Sequence, residues 1–145
     1  MATSSLRPSA PRQAGTDAAL LVLRLMLGIL VLLHGLSKLP PPSGFVVAML
    51  AKADLPAVLA YGVYLGEIVA PVLVIVGVWT RLAALVMAVN MLVAILLVHM
   101  PQLLQLNKEG GYALELQAMY LFTALALMLA GAGRYSVGGR YGPMN

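Results

Sequence analysis

The chain has no cysteine among its 145 residues, two phenylalanines, one tryptophan, two histidines, and charged side chains at only 10% of positions. Without cysteine there can be no disulfide, thiol redox chemistry, iron-sulfur cluster or Cys-x-x-Cys-His haem attachment. Any electron chemistry must use a cofactor that is not covalently held. The scarcity of charge excludes a soluble domain, which at this size needs far more polar surface. What fills the chain instead is hydrophobic sequence, 61% of residues, with a mean hydropathy of +0.94. The expectation is one compact domain lying mostly inside a bilayer. The net charge of +4 does not point to nucleic acid, because the basic residues are scattered at the ends of apolar runs rather than massed on one face.

Spanning hydrocarbon takes roughly 20 apolar residues in a helix. Four segments qualify, about 18–39, 56–79, 82–99 and 112–132, and all must be helical to satisfy their backbones in lipid. Breaks fall at "PPPSG" (40–44), "TR" (80–81) and "PQLLQLNKEGG" (101–111), with Asp54 before Pro56 as a start signal for the second span. The fold class expected is an all-α transmembrane four-helix bundle, with "FVVAMLAK" in the first loop as a short interfacial helix. Residues 1–17 read as a disordered tail that stays attached, 18–137 as the folded domain, and 138–145 as a flexible C-terminal tail. Arg7, Arg12, Arg81, Arg134 and Arg140 collect on one side and Lys38, Lys52 and Lys108 on the other. The Arg-rich side, with both termini, is expected in the cytoplasm of a bacterial inner-membrane protein. Trp79, Tyr112 and Tyr135 suit the aromatic belts at the interfaces.

Ionisable groups inside spans are costly, so each is a functional candidate. At about 100° per residue, Arg24, Gly28, Gly35 and Lys38 share one stripe of the first helix, with His34 about 80° from Arg24. The glycines allow close helix approach. His34, Lys38, His99 and Glu115 all arrive at the outer level, as a polar cluster. Glu67 lies mid-span, four residues before Pro71, which supplies no N–H to the carbonyl of residue 67. Tyr64, one turn earlier, is placed to hydrogen-bond that carboxyl group, and burial favours neutral Glu67 unless a cation pairs with it. Arg24 lies nearer the inner face by roughly 9 Å and leans away from Glu67, so it is assigned to the inner headgroups. Asn90 and His99, nine positions apart, face opposite ways on a regular helix, which leaves Asn90 as interhelical glue. Gln117, about 200° from Glu115, is not expected to be a ligand. Gly62, Gly66 and Ala70 form a small-x-x-x-small packing face.

Several stretches together resemble the DoxX family of small bacterial four-helix membrane proteins: "LRLMLGILVLLHGLSKL", "YLGEIVAPVLVIVGVWTRLAAL", "MLVAILLVH", "GGYALEL" and "GAGRYSVG". The resemblance runs from about Leu20 to Val137. It implies an inner-membrane bundle and brings in Arg24, His34, Gly35, Lys38, Glu67, Arg81, His99 and Glu115 as the positions matching the family pattern. It also implies association with quinol oxidase or thiosulfate:quinone oxidoreductase systems, or with complexes that handle oxidative stress. In the family an acidic residue commonly follows the "GRYS" tail; here Val137 is followed by Gly138 and Gly139.

The leading expectation is therefore a quinone-interacting subunit of a membrane redox system. His34, Lys38, Tyr64, Glu67, His99 and Glu115 would line the ligand site, and electrons would come from a partner; the partners expected are other membrane or peripheral redox subunits or a homo-oligomer. Arg24, Gly28, Gly35, Gly62, Gly66, Pro71, Arg81 and Asn90 are the structural candidates. The alternative is a non-enzymatic protein for small-solute or proton permeation or for membrane-complex assembly; lesser readings are a b-type haem between His34 and His99 and a metal held by His34, His99 and Glu115.

Overall fold

The structure is a computed structural model that describes residues 10–40 and 42–145, with the side chains of residues 10–12 left aside. Among the described residues it is all helical, apart from one isolated bridge between Leu106 and Tyr112. We label five helices: α1 Ala10–Leu36, α2 Gly44–Lys52, α3 Ala57–Val76, α4 Thr80–Gln102 and α5 Glu115–Ala130. Three stretches, Gln13–Leu36, Ala57–Val76 and Thr80–Gln102, are long and apolar enough to cross a membrane. The fourth expected span is the 16-residue α5, about 24 Å long. The expected surface segment "FVVAMLAK" is helical as α2. Asp54 does not open α3: it takes a left-handed conformation after α2, and Pro56 precedes the first turn of α3 without a side-chain cap.

α1 packs against α3 and α5, α3 against α4, and α4 against α5, while α2 lies against the start of α3 and the far end of α4. Leu27, Val31, Val74, Met87, Ala124 and Leu127 meet in the core. Large apolar side chains such as Val22, Met26, Leu33, Met119 and Phe122 point outward, as a hydrocarbon solvent allows. The α3–α4 turn is tight because Gly77 takes φ +78° and donates its N–H to Leu73 O at 2.8 Å.

Glycine sets the distance between α1 and α3. A Cβ on Gly28 would lie 2.5 Å from Ile75, and one on Gly35 would lie 2.5 Å from the main-chain oxygen of Glu67. Gly66 stands equally close to Asn90, whereas a Cβ on Gly62 meets nothing within 4 Å. The small-residue series on α3 is thus a packing face at Gly66 and Ala70 but open space at Gly62. Gly35→Ala is expected to cost about 2 kcal/mol, because backbone must move to admit the methyl group. Gly62→Ala is expected to be neutral or stabilising by up to about 1 kcal/mol, through helix propensity. Thermal unfolding of the two variants in nanodiscs checks this contrast.

The end of the bundle opposite Lys38 is closed by arginines. Arg24 is 1% exposed and donates to four carbonyls: Nε to Val74 O, Nη2 to Ile75 O, and Nη1 to Ala132 O and Tyr135 O, all at 2.8–2.9 Å. The assignment of Arg24 to lipid headgroups is therefore corrected. The last carbonyls of α3 lack helical partners, and a planar guanidinium satisfies two of them while tying down the segment after α5. Arg81 does the same for α5, donating Nη1 to Leu129 O at 2.9 Å and Nε to the main-chain oxygen of Asn145 at 3.0 Å.

Residues 138–145 fold back rather than trailing free. Asn145 is buried, accepts from the Thr80 N–H and hydroxyl, and donates to Gly77 O and Gly139 O. The expected N-terminal tail is also shorter. α1 already runs from Ala10, and Asp17 is buried, accepting from the Arg134 N–H and pairing with Arg140 at 3.0 Å. The expectation for residues 1–9, Arg7 included, lies outside the described residues.

Candidate functional site

A buried ion pair lies at the middle of the molecule's polar residues. Lys38, just past α1, places Nζ 2.6 Å from both carboxylate oxygens of Glu67 on α3. Glu67 is 5% exposed, and the Lys38 side chain keeps 25% of its surface. Lys38 thus pairs within the protein instead of reaching out to headgroups. Asn90 on α4 donates Nδ2 to Glu67 Oε1 at 3.4 Å, a long bond that brings a third helix to the same carboxylate. Tyr64 does not hydrogen-bond the Glu67 carboxylate. Its hydroxyl accepts the Ser43 N–H and donates to Lys38 O, which anchors the main chain that carries the lysine.

The helices that carry Glu67 and Asn90 each contain a widened turn. Leu65–Val69 is a π-helical turn, ending two residues before Pro71. The missing proline N–H loosens the ladder where the widened turn forms. A second π turn covers Ile95–His99. A π turn accommodates one extra residue and shifts the phase of the helix that follows it, which here leaves Asn90 in place and affects only the His99 end of α4. Asn90 and His99 do not share a cavity, and Asn90 bonds across helices to Glu67.

Two cavities flank the pair. The larger, about 620 Å³, runs between α2, α3 and α4. Its walls are apolar, including Phe45, Met49, Leu59, Val89 and Leu97, and its polar residues are Lys38, Glu67 and Asn90. The open space above Gly62 belongs to it. The smaller, about 90 Å³, lies between α1, α4 and α5 and is lined by His34, His99, Gln117 and Tyr120 together with Lys38 and Glu67.

The structure brings four of the expected ligand-site residues to these cavities, His34, Lys38, Glu67 and His99, whereas Tyr64 lines neither and holds the main chain at Lys38 O. It does not bring Glu115, which is exposed. A two-residue step turns a helix by about 200°. That step does separate Glu115 from Gln117, but Gln117 faces inward, with Nε2 3.4 Å from His99 Nε2. His34 sits at the exposed rim with its ring edge-on to Tyr120, centroids 6.2 Å apart. The metal set His34, His99, Glu115 is thus not assembled, and no group of three His, Cys, Asp or Glu able to hold a metal occurs among the described residues. Asn90, Gln117 and Tyr120 were the lining residues that spacing missed. Tyr120 lies five residues after Glu115, about 140° round the helix, and carried no sequence signal.

The DoxX family model matches residues 19–100. This chain is also similar to a Bacillus subtilis (strain 168) protein named "Putative oxidoreductase CatD", with 32% identity over 101 residues, covering 70% of this chain and 75% of that one. No solved structure matches significantly. The matched segment contains Arg24, both partners of the ion pair, Asn90, both histidines and both π turns.

Proposed function

The chain belongs to the DoxX family, and from that premise we propose that it is an inner-membrane subunit of a quinone-linked redox system. Its ligand would occupy the large cavity, with the head against Lys38, Glu67 and Asn90. The observation that carries this reading is an apolar cavity of about 620 Å³ whose polar residues belong to one buried cluster. Ligand sites commonly combine apolar walls with a few placed polar groups. The oxidoreductase name of the Bacillus subtilis relative agrees with a redox association.

The residues present fit a quinone. The walls suit a ring and isoprenoid tail, the Lys38 ammonium and the Asn90 amide can donate to carbonyl oxygens, and the Glu67 carboxylate can accept from a hydroxyl. A bound quinone would supply the electron and proton carrier that no side chain of this chain provides. Glu67 would hold or release a proton at that head, and Lys38 would steady its carboxylate charge. Electrons would come from a redox partner. The Arg24 end would face the cytoplasm with both termini, and α5 would cross as a fourth span. A haem fits poorly: His34 is at an exposed rim, His99 is 3.0 Å from Gln102 and 3.4 Å from Gln117, and the cavity between the histidines is on the order of a few waters.

The test is binding of a short-tailed benzoquinone or naphthoquinone analogue to the protein in nanodiscs. Glu67→Gln and Asn90→Leu are each expected to weaken binding about tenfold, the loss of one buried hydrogen bond. Unchanged affinity in both folded variants would refute the reading. No binding by the wild type would shift the role to assembly or permeation.

A further inference from the structure

The large cavity uses one side of the Lys38–Glu67 pair; the small groove uses the other. Around that groove stand His34 and Lys38 from the α1 end, Glu67 from α3, His99 from α4, and Gln117 and Tyr120 from α5. Polar groups facing hydrocarbon are costly unless something satisfies them. Within the protein Lys38 and Glu67 hold each other at 2.6 Å and His99 Nδ1 meets Gln102 at 3.0 Å, while the His99–Gln117 approach is longer at 3.4 Å and His34 meets Tyr120 edge to face. The space of about 90 Å³, which these polar groups share with Val31, Met91, Ala94 and Leu116, has room for a few waters placed against its polar side. At the opposite end of the bundle the charged groups are engaged, Arg24 and Arg81 by carbonyls and Asp17 by Arg140.

We propose that the small groove is a water-filled inlet, open at the Lys38 end, through which Glu67 exchanges protons with bulk water. The large cavity keeps the other side of the same pair in an apolar setting. The groups facing the pair are then Asn90 from the large-cavity side and His34, His99, Gln117 and Tyr120 from the inlet side. The inlet itself does not depend on the ligand; its use in supplying protons to a bound head rests on the quinone reading.

Because the chain has no cysteine, single introduced thiols report on water without background. Gln117→Cys and Met91→Cys line the small groove, Val89→Cys lines the large cavity, and Phe122→Cys lies on the exposed apolar face of α5. Each variant is reconstituted in phosphatidylcholine nanodiscs and treated with a charged, membrane-impermeant methanethiosulfonate. Gln117→Cys and Met91→Cys are expected to react about tenfold faster than the other two, since the reactive thiolate is favoured only where water solvates it. Should one fail to fold, the other decides. Rates no higher than at Phe122→Cys would overturn the inlet. The proton step has its own readout: deuterium exchange at the pair, followed in the infrared, is expected to slow in a His34→Leu, Gln117→Leu double variant, and equal rates would remove the proton role. Analogue binding without fast labelling sinks the inlet alone; fast labelling without analogue binding sinks the quinone reading alone.

Discussion

Replacing Lys38 by methionine is expected to destabilise the protein by about 3 kcal/mol, because it leaves the buried Glu67 carboxylate without its cation. The lower end of the range for broken buried pairs applies, since the lysine side chain retains 25% exposure. The double variant Lys38→Met, Glu67→Gln removes both charges and is expected to recover most of that loss. Replacing a buried pair by neutral groups of similar shape is often nearly neutral. Equilibrium unfolding of the two single variants and the double variant, in one membrane mimetic, gives the coupling between the sites. Additive losses would mean that the 2.6 Å contact contributes nothing. A site that retains a costly ion pair beside a large apolar cavity is readily understood if the charges meet a ligand, and poorly understood as a device for stability alone.

Arg24→Met is expected to have the largest effect on stability of any single change considered, on the order of 4 kcal/mol or more. It leaves carbonyls of Val74, Ile75, Ala132 and Tyr135 without their shared donor, and each unsatisfied buried group costs about 1–3 kcal/mol. Arg24→Lys is not expected to restore the loss, because one ammonium cannot reproduce the planar fork that reaches four oxygens. Thermal unfolding measures the loss, and protease sensitivity after Gly131 reads release of the terminal segment. Recovery of full stability by lysine would show that charge, rather than geometry, is what this position supplies. Analogue binding per folded molecule is expected to survive, since Arg24 is not among the residues lining either cavity.

Much of the framework was legible because it depends on composition and local chemistry. The apolar runs, the first-loop helix, and the stripe of Arg24, Gly28, Gly35 and Lys38 are all set by period and residue type. Glu67 stood out for the same reason, as an acid where lipid makes acids expensive. The break between the second and third spans was expected at Thr80–Arg81 but falls at Gly77 to Trp79, where Gly77 turns left-handed, and Thr80 and Arg81 open α4. The features that could not be read were set by the backbone and by distant partners. Two π turns, at Leu65–Val69 and Ile95–His99, are set by the backbone and had no mark in residue type, whereas Asn90 bonds across helices to Glu67 as its mid-span position suggested. The inner-headgroup assignment of Arg24 failed because its acceptors come from residues 50 to 111 positions away. The packing of Asn145 against Thr80 is equally non-local, and nothing in a run of Gly, Tyr and Pro announces it. At α5, periodicity correctly separated Glu115 from Gln117 but did not say which of them faces inward.

The most direct measurement is native mass spectrometry of the protein extracted gently from its own membrane, compared with Gly62→Leu. A Cβ at Gly62 meets no atom within 4 Å, and the residue lines the large cavity, so leucine there fills ligand space while the helix keeps its packing. The wild type is expected to retain a quinone mass, and Gly62→Leu, equally stable, is expected to lose it. A wild type carrying only phospholipid, or a quinone retained undiminished in Gly62→Leu, would contradict the assignment of this cavity as the quinone site.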